Sequence, residues 1–172
     1  MGKILVVYHS QQYGDTKMLA DAFAEGLKEA GSTFEMINTN ERRITLDEFL
    51  AADGIGLGTP DYFSYVAGTI KTFFDDLWLW DRAGEPVKGK PAAFFFSHGG
   101  GGRGRERLEF FAGRFFEQTG EFIDSPRPPS EEAKKACRDL GKTLAERALE
   151  LSNKHEAPDG GSCHSNSYGR IS

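Results

Sequence analysis

Lys3-Ile4-Leu5-Val6-Val7-Tyr8-His9-Ser10-Gln11-Gln12-Tyr13-Gly14-Asp15-Thr16 is the stretch on which the fold turns. Its first part, after Lys3, is an unbroken apolar run rich in β-branched residues. Such a run predicts a strand covered on both faces, because a strand with one wet face would alternate with polar residues. The run ends in a loop of hydroxyls and amides around Gly14. Beyond it Leu19, Ala22, Phe23, Leu27 and Ala30 recur at helical spacing, and Gly31 supplies a stop. A buried strand, a polar loop and an amphipathic helix make the first half of a β-α-β unit.

The same grammar repeats outward from this unit. Residues 34–37 read as a second strand, and Thr45-Leu46-Asp47-Glu48 has capping-box spacing and opens a short helix through Leu50. Residues 53–58 are a thin, glycine-rich third strand, followed by a loop over 59–65 and a helix with Ile70, Phe73, Phe74 and Leu77 on one face. Residues 91–96 form a fourth strand, 97–104 a glycine loop, and Leu108, Phe111, Ala112 and Phe115 mark a fourth helix, which Gly120 ends. Residues 121–123 are expected to be a short fifth strand. Pro128-Pro129-Ser130 then starts a last helix that carries Ala133, Ala136, Cys137, Leu140, Leu144 and Leu151. Five β-then-α units predict an α/β doubly wound, five-stranded parallel sheet of order 2-1-3-4-5, with ligands beyond the carboxyl ends of the strands beside strand 1. Residues 1–153 are read as one domain and the polar, Gly/Ser-rich residues 154–172 as a flexible tail.

Composition narrows the function classes. The 172 residues carry 21 Lys and Arg against 26 Asp and Glu, a net charge of −5 that speaks against a general nucleic-acid binder. The apolar runs at 4–7 and 91–96 fall far short of the roughly 20 residues a membrane span needs. With no export-signal layout at Met1, a cytoplasmic location is expected. Cys137 and Cys163 stand far apart and read as reduced thiols.

Three loops fall where the topology puts function. The first, after strand 1, holds Ser10, Gln11, Gln12, Tyr13, Gly14, Asp15 and Thr16 and no Arg. Backbone N–H groups and neutral donors at a helix start suit a phosphate; the plainer reading is a turn capped by Asp15 or Thr16. It is not a Walker A loop. The second contains Thr59, Pro60, Asp61, Tyr62, Phe63, Ser64 and Tyr65, with three aromatics in four residues. That clustering fits a flat ligand, a core contact or a neighbouring subunit. The third contains Ser97, His98, Gly99, Gly100 and Gly101, where glycines let backbone approach a ring edge. Gly99, Gly101 and Gly104 also satisfy G-x-G-x-x-G, with Asp124 at the offset of a ribose-binding acid, but they follow strand 4 and not strand 1.

Residues 58–75, Gly58-Thr-Pro-Asp-Tyr-Phe-Ser-Tyr-Val-Ala-Gly-Thr-Ile-Lys-Thr-Phe-Phe-Asp75, resemble the middle segment of the WrbA-type NAD(P)H:quinone oxidoreductase branch of the flavodoxin-like FMN-binding proteins. Leu79-Trp80, Gly89-Lys-Pro-Ala-Ala-Phe94 and the glycines after Ser97 are similar to that family as well, and Tyr13-Gly-Asp-Thr16 resembles the ending of a flavodoxin phosphate loop. The resemblance spans residues 3–106. It implies a flavodoxin-like fold and an FMN cofactor, with the phosphate on 10–16 and the ring between 59–65 and 97–102. Where the family has Gly-Asn after the loop Phe, Ser64-Tyr65 stands here, and no His lies between His98 and His155 to match the family's later active-site His.

The resulting expectation is an FMN-dependent oxidoreductase that passes electrons from NAD(P)H to a quinone or other acceptor. No side chain is assigned as catalytic and no metal is expected. An electron-carrier flavodoxin, or a regulatory FMN-binding module, is the alternative. Carriers of that type are expected to be more acidic than −5. A phosphorylation receiver is excluded, since Tyr8-His9 and Gly58-Thr59 stand where it needs acids. Expected partners are a small-molecule donor and acceptor, with a homodimer or homotetramer open as the assembly. Further candidates are His98 at the flavin, Arg103, Arg105 and Arg107 near NADPH or reduced flavin, and Trp78 and Trp80 at a sheet edge or subunit contact. Cys137 is read as core, and Cys163-His164 as too little for a metal site.

Overall fold

A computed structural model describes residues 2–156. The elements are β1 (Lys3–Tyr8), α1 (Asp15–Glu29), β2 (Thr33–Asn38), α2 (Leu46–Leu50), β3 (Gly54–Pro60), α3 (Gly68–Arg82), β4 (Lys90–His98), α4 (Gly104–Phe115), β5 (Phe116–Gln118), β6 (Ile123–Pro126) and α5 (Glu131–Glu156). The strands pair in the order β2-β1-β3-β4-β5, every pair parallel, and β6 also pairs with β4. This is the expected doubly wound, flavodoxin-like order.

Alternation along the strands sends side chains into two cores. Leu5, Val7, Ile55, Leu57, Phe94 and Phe96 meet α2, α3 and α4, whereas Ile4, Val6, Tyr8, Ala93 and Phe95 meet α1 and α5. The glycines of β3 now have a cause. A Cβ at Gly56 would enter the Phe23 ring, and one at Gly58 would enter the Phe95 ring. Those two rings lie 5.5 Å apart and fill the space that β3 leaves. The strand is thin on one face because α1 and β4 supply the bulk there. The capping box is formed as expected: Thr45 Oγ1 accepts from Glu48 N at 3.3 Å, and Glu48 Oε2 accepts from Thr45 N at 2.8 Å. Arg42 and this capping hold the Glu48 carboxyl down at about 2.

The fifth strand position is the correction. It is not residues 121–123, and Gly120 does not end α4. The helix stops at Phe115 and the chain passes directly into β5, whose Phe116 ring sits among Phe49, Phe94 and Phe115. Gln118 pairs with Ala92 and Ile123 with Phe95, so five steps on this side span three on β4. Two extra residues therefore bulge out, turning at Gly120 with φ 72°. β6 then resumes the pairing and carries the chain to the carboxyl end of β4.

Cys137 is buried on α5, and burial pushes its thiol up to about 12. Trp80 packs on Phe49 at 6.0 Å, while Trp78 is exposed. The helix α5 continues through residues 154–156; the rest of the expected tail, with Cys163 and His164, lies outside the described residues. No helix among the described residues is long and apolar enough to cross a membrane.

Candidate functional site

The carboxyl ends of β1, β3 and β4 open into one cleft of about 210 Å³. Ser10, Gln11, Gln12, Tyr13, Gly14, Asp15 and Thr16 form one wall. Pro60, Asp61 and Tyr62 form the second, and Ser97, His98 and Gly99 the third. Phe63 is fully exposed and borders an adjoining cleft with Gln11, Gln12 and Tyr62.

Five of the expected residues sit elsewhere or differently. Phe63 is the first of them, at the lip. Thr59 is buried behind the wall, where its Oγ1 accepts from Ala67 N at 3.0 Å and fixes the turn into α3. Ser64, Gly100 and Gly101 do not line the cleft. The basic cluster does not line it either. Arg105 pairs with Glu109 at 2.8 Å and lies 4.7 Å over the Phe122 ring, and neither Arg103 nor Arg107 lines the cleft. Asp124 is engaged by His98 Nε2 at 3.1 Å and Arg105 Nη1 at 3.5 Å.

The first wall is built from uncommitted donors. Gly14 is the N-cap of α1, at φ 79°, with no side-chain cap bond. Neither Asp15 nor Thr16 caps the helix, because both lie inside its first turn. The hydroxyl of Thr16 instead meets Ser97 Oγ at 2.8 Å, which ties the first loop to the third. The backbone N–H groups of residues 11–14 donate to no other protein group among the described residues, and a helix's first-turn N–H groups have no intrahelical acceptor. Asn38 steadies the loop: its Oδ1 accepts from Ser10 N at 3.2 Å, and its Nδ2 donates to Ser10 O at 2.9 Å.

The second wall turns sharply. Tyr62 and Tyr65 exchange backbone hydrogen bonds of 2.9 and 3.1 Å, with Phe63 at φ 56° and Ser64 at φ 60° between them. Two consecutive left-handed residues make a type I′ hairpin turn. Tyr62 stands edge-on to His9, with ring centroids 5.4 Å apart. Beneath it runs a hydrogen-bond chain whose direction is set by counting protons. Thr39 Oγ1 donates to Tyr8 O at 3.2 Å, so Thr69 Oγ1 donates to Thr39 Oγ1 at 2.7 Å and accepts from His9 Nδ1 at 2.8 Å. His9 Nε2 is then a bare acceptor, buried without a partner. Burial lowers the imidazole from its ordinary 6.5.

Two more buried polar atoms lack partners at the cleft itself: Asp61 Oδ1 and His98 Nδ1. Buried polar groups are nearly always bonded, so two unbonded ones on residues that line one cleft stand out. One lining residue escaped the sequence reading. Arg127, between β6 and α5, reaches across the mouth of the first loop. Its guanidinium lies 3.3 Å over the Tyr13 ring and its Nε is 3.2 Å from Asp15 Oδ2. The available signal was positional: Arg127 directly follows β6, at the carboxyl end of the sheet.

Comparison with known proteins agrees with this geometry. A family model described as NADPH-dependent FMN reductase matches residues 2–112. A protein of Aquifex aeolicus named flavodoxin is 35% identical over 85% of this chain and 86% of its own. Quinone-oxidoreductase QR2 of Triphysaria versicolor is 32% identical over 60% of this chain and 59% of its own. Among solved structures, a flavodoxin, WrbA-like protein from Agrobacterium tumefaciens superposes with a TM-score of 0.69 at 23% identity, covering 87% of this chain and 99% of its own. With a family model spanning more than half of its length and a relative of that identity along most of it, this chain belongs to the NADPH-dependent FMN reductase family, within the flavodoxin-like FMN-binding oxidoreductases.

Proposed function

We propose that the cleft holds FMN and that the chain passes electrons from NAD(P)H through it to a quinone or another small-molecule acceptor. The observation that carries this reading is the division of the cleft into two chemically distinct ends. One end offers free N–H groups at residues 11–14 and the start of α1, together with the Ser10 and Thr16 hydroxyls, which suits a phosphate. The other offers Tyr62, the exposed Phe63 and Gly99, with unpartnered Asp61 Oδ1 and His98 Nδ1, which suits a flat ring with a polar edge.

Bound FMN supplies the redox chemistry, accepting a hydride equivalent and giving up electrons. The protein's part is to hold and orient. The Thr16–Ser97 bond keeps the phosphate loop and the ring loop at a fixed distance. His98 Nε2 lies 3.1 Å from Asp124 Oδ1, while its Nδ1 is buried without a partner. Tyr62, with Phe63 at the lip, would shield one side of the ring from water.

The alternative is an electron carrier without a substrate of its own, which the relative named flavodoxin favours. The modest net charge of −5 favours the reductase, because a carrier that docks on basic partners gains from a stronger acidic field. Adding NADPH anaerobically to the FMN-loaded protein separates them. Loss of the flavin's visible absorbance within seconds is the expected result. Absorbance that NADPH leaves unchanged but dithionite removes assigns the carrier role instead. A protein that retains no FMN through gel filtration overturns both.

A further inference from the structure

We propose that Arg127 is the charged element of the phosphate end and makes the cleft select a phosphorylated flavin over the unphosphorylated one. This assignment rests on the FMN reading above and adds to it a residue that lies outside the neutral first loop.

The case begins with the charges that face the cleft. Asp15 and Asp61 line it, and Arg127 is the permanent cation among its lining residues. A phosphate dianion beside the Asp15 carboxylate meets repulsion that neutral N–H donors do not cancel. The Asp15 side chain is only 12% exposed, so water screens it weakly. Arg127 is placed to offset it, with Nε 3.2 Å from Asp15 Oδ2.

The guanidinium is also held flat. Its central carbon lies 3.3 Å from the centroid of the Tyr13 ring, in the middle of the phosphate loop. Its own backbone is anchored, since Arg127 N donates to His98 O at 2.9 Å, where β4 passes into the ring loop. A planar cation stacked on an aromatic face and pinned at one edge by a carboxylate keeps further N–H donors for an anion, because guanidinium carries five in a fixed fork. The pair Asp15–Arg127 therefore presents a preorganised fork at the helix start, where a lysine would present a mobile point charge. The stacking covers one face of Tyr13, which remains exposed at the cleft mouth.

The test is a fluorescence titration of the flavin-free, full-length protein with FMN and with riboflavin. Arg127→Gln is expected to raise the FMN dissociation constant at least tenfold and that of riboflavin less than twofold. An unchanged riboflavin affinity also shows that the variant is folded. Raising the salt concentration is expected to weaken FMN binding in the wild type and to have a smaller effect in Arg127→Gln. Arg127→Lys, which keeps the charge and loses the flat stack, falls between the two. Equal losses for both flavins, or Lys and Gln variants that behave alike, overturn the assignment while leaving the FMN reading intact. A wild-type protein that takes up neither flavin overturns the FMN reading itself, and this assignment with it.

Discussion

Phe63 and Ser64 hold backbone conformations that L-residues avoid, at φ 56° and 60°. In a type I′ turn these places are ordinarily taken by Asn and Gly, since the left-handed region brings Cβ against the carbonyl. The strain is accepted at the rim of the cleft, and it sets an exposed aromatic ring beside Gln11, Gln12 and Tyr62. Ser64 lines no cleft, so Ser64→Gly relieves strain without removing a binding group. The relief, about 1 kcal/mol, is partly offset by the greater entropy of glycine in the unfolded chain. The expected net gain is about 0.5 kcal/mol, read as a higher urea midpoint with unchanged FMN affinity. A drop in stability would show that the Ser64 side chain holds the turn.

At the scale of elements, α1 and α5 cross so closely that glycine is required at the contact. A Cβ at Gly26 would collide with the backbone carbonyl of Arg138, and one at Gly141 with that of Phe23. Neither obstacle is a side chain that can swing away. The crossing fixes α1, and through it the Gly14 N-cap and the phosphate end of the cleft. Gly113 on α4 is the opposite case, a helical glycine with open space where a Cβ would go. Gly26→Ala is therefore expected to cost about 2–3 kcal/mol or more, with weaker FMN binding. Gly113→Ala is expected to gain up to about 1 kcal/mol with binding untouched. Urea unfolding of the two variants side by side decides it.

Across the whole molecule, the His9–Thr69–Thr39 chain joins the segment after β1, the first turn of α3 and the end of β2 under the cleft. The chain assigns the His9 proton to Nδ1 and leaves Nε2 buried without a partner. A second proton on that ring has nowhere to donate. Burial lowers the imidazole's titration below its unfolded value of 6.5, so the unfolded state takes up a proton more readily. The resulting stability is fully present above pH 6.5 and is lost as the pH falls through the lower, folded value. Unfolding free energy is expected to decline from pH 7 towards pH 5, and His9→Asn, which keeps a donor at the Nδ1 position, is expected to flatten the decline. An unchanged slope in that variant places the acid sensitivity in another group.

How much was legible follows from the range of the forces involved. The run at residues 4–8, the helical spacing after Leu19 and the Thr45–Glu48 box depend on neighbours within a few positions, so the strand order and the three loops could be read from the chain. The fifth strand could not. Phe116 leaves its helix because rings from β4, α2 and α4 converge on it, and no local pattern announces that. Arg127 was missed for the same reason: its place over Tyr13 depends on β6 running beside β4 to the sheet's edge. Thr59 and Ser64 have the residue types of a binding loop, yet the turn into α3 and the hairpin carry them off the cleft wall. The sequence by itself determined a doubly wound sheet with its function at the carboxyl ends of β1, β3 and β4, because burial and helix formation are written in local periodicity. Only the tertiary structure decided which side chains face the cleft and where the Arg127 guanidinium stands, because those depend on loops from separate parts of the chain meeting, as Thr16 meets Ser97 and Arg127 meets Tyr13.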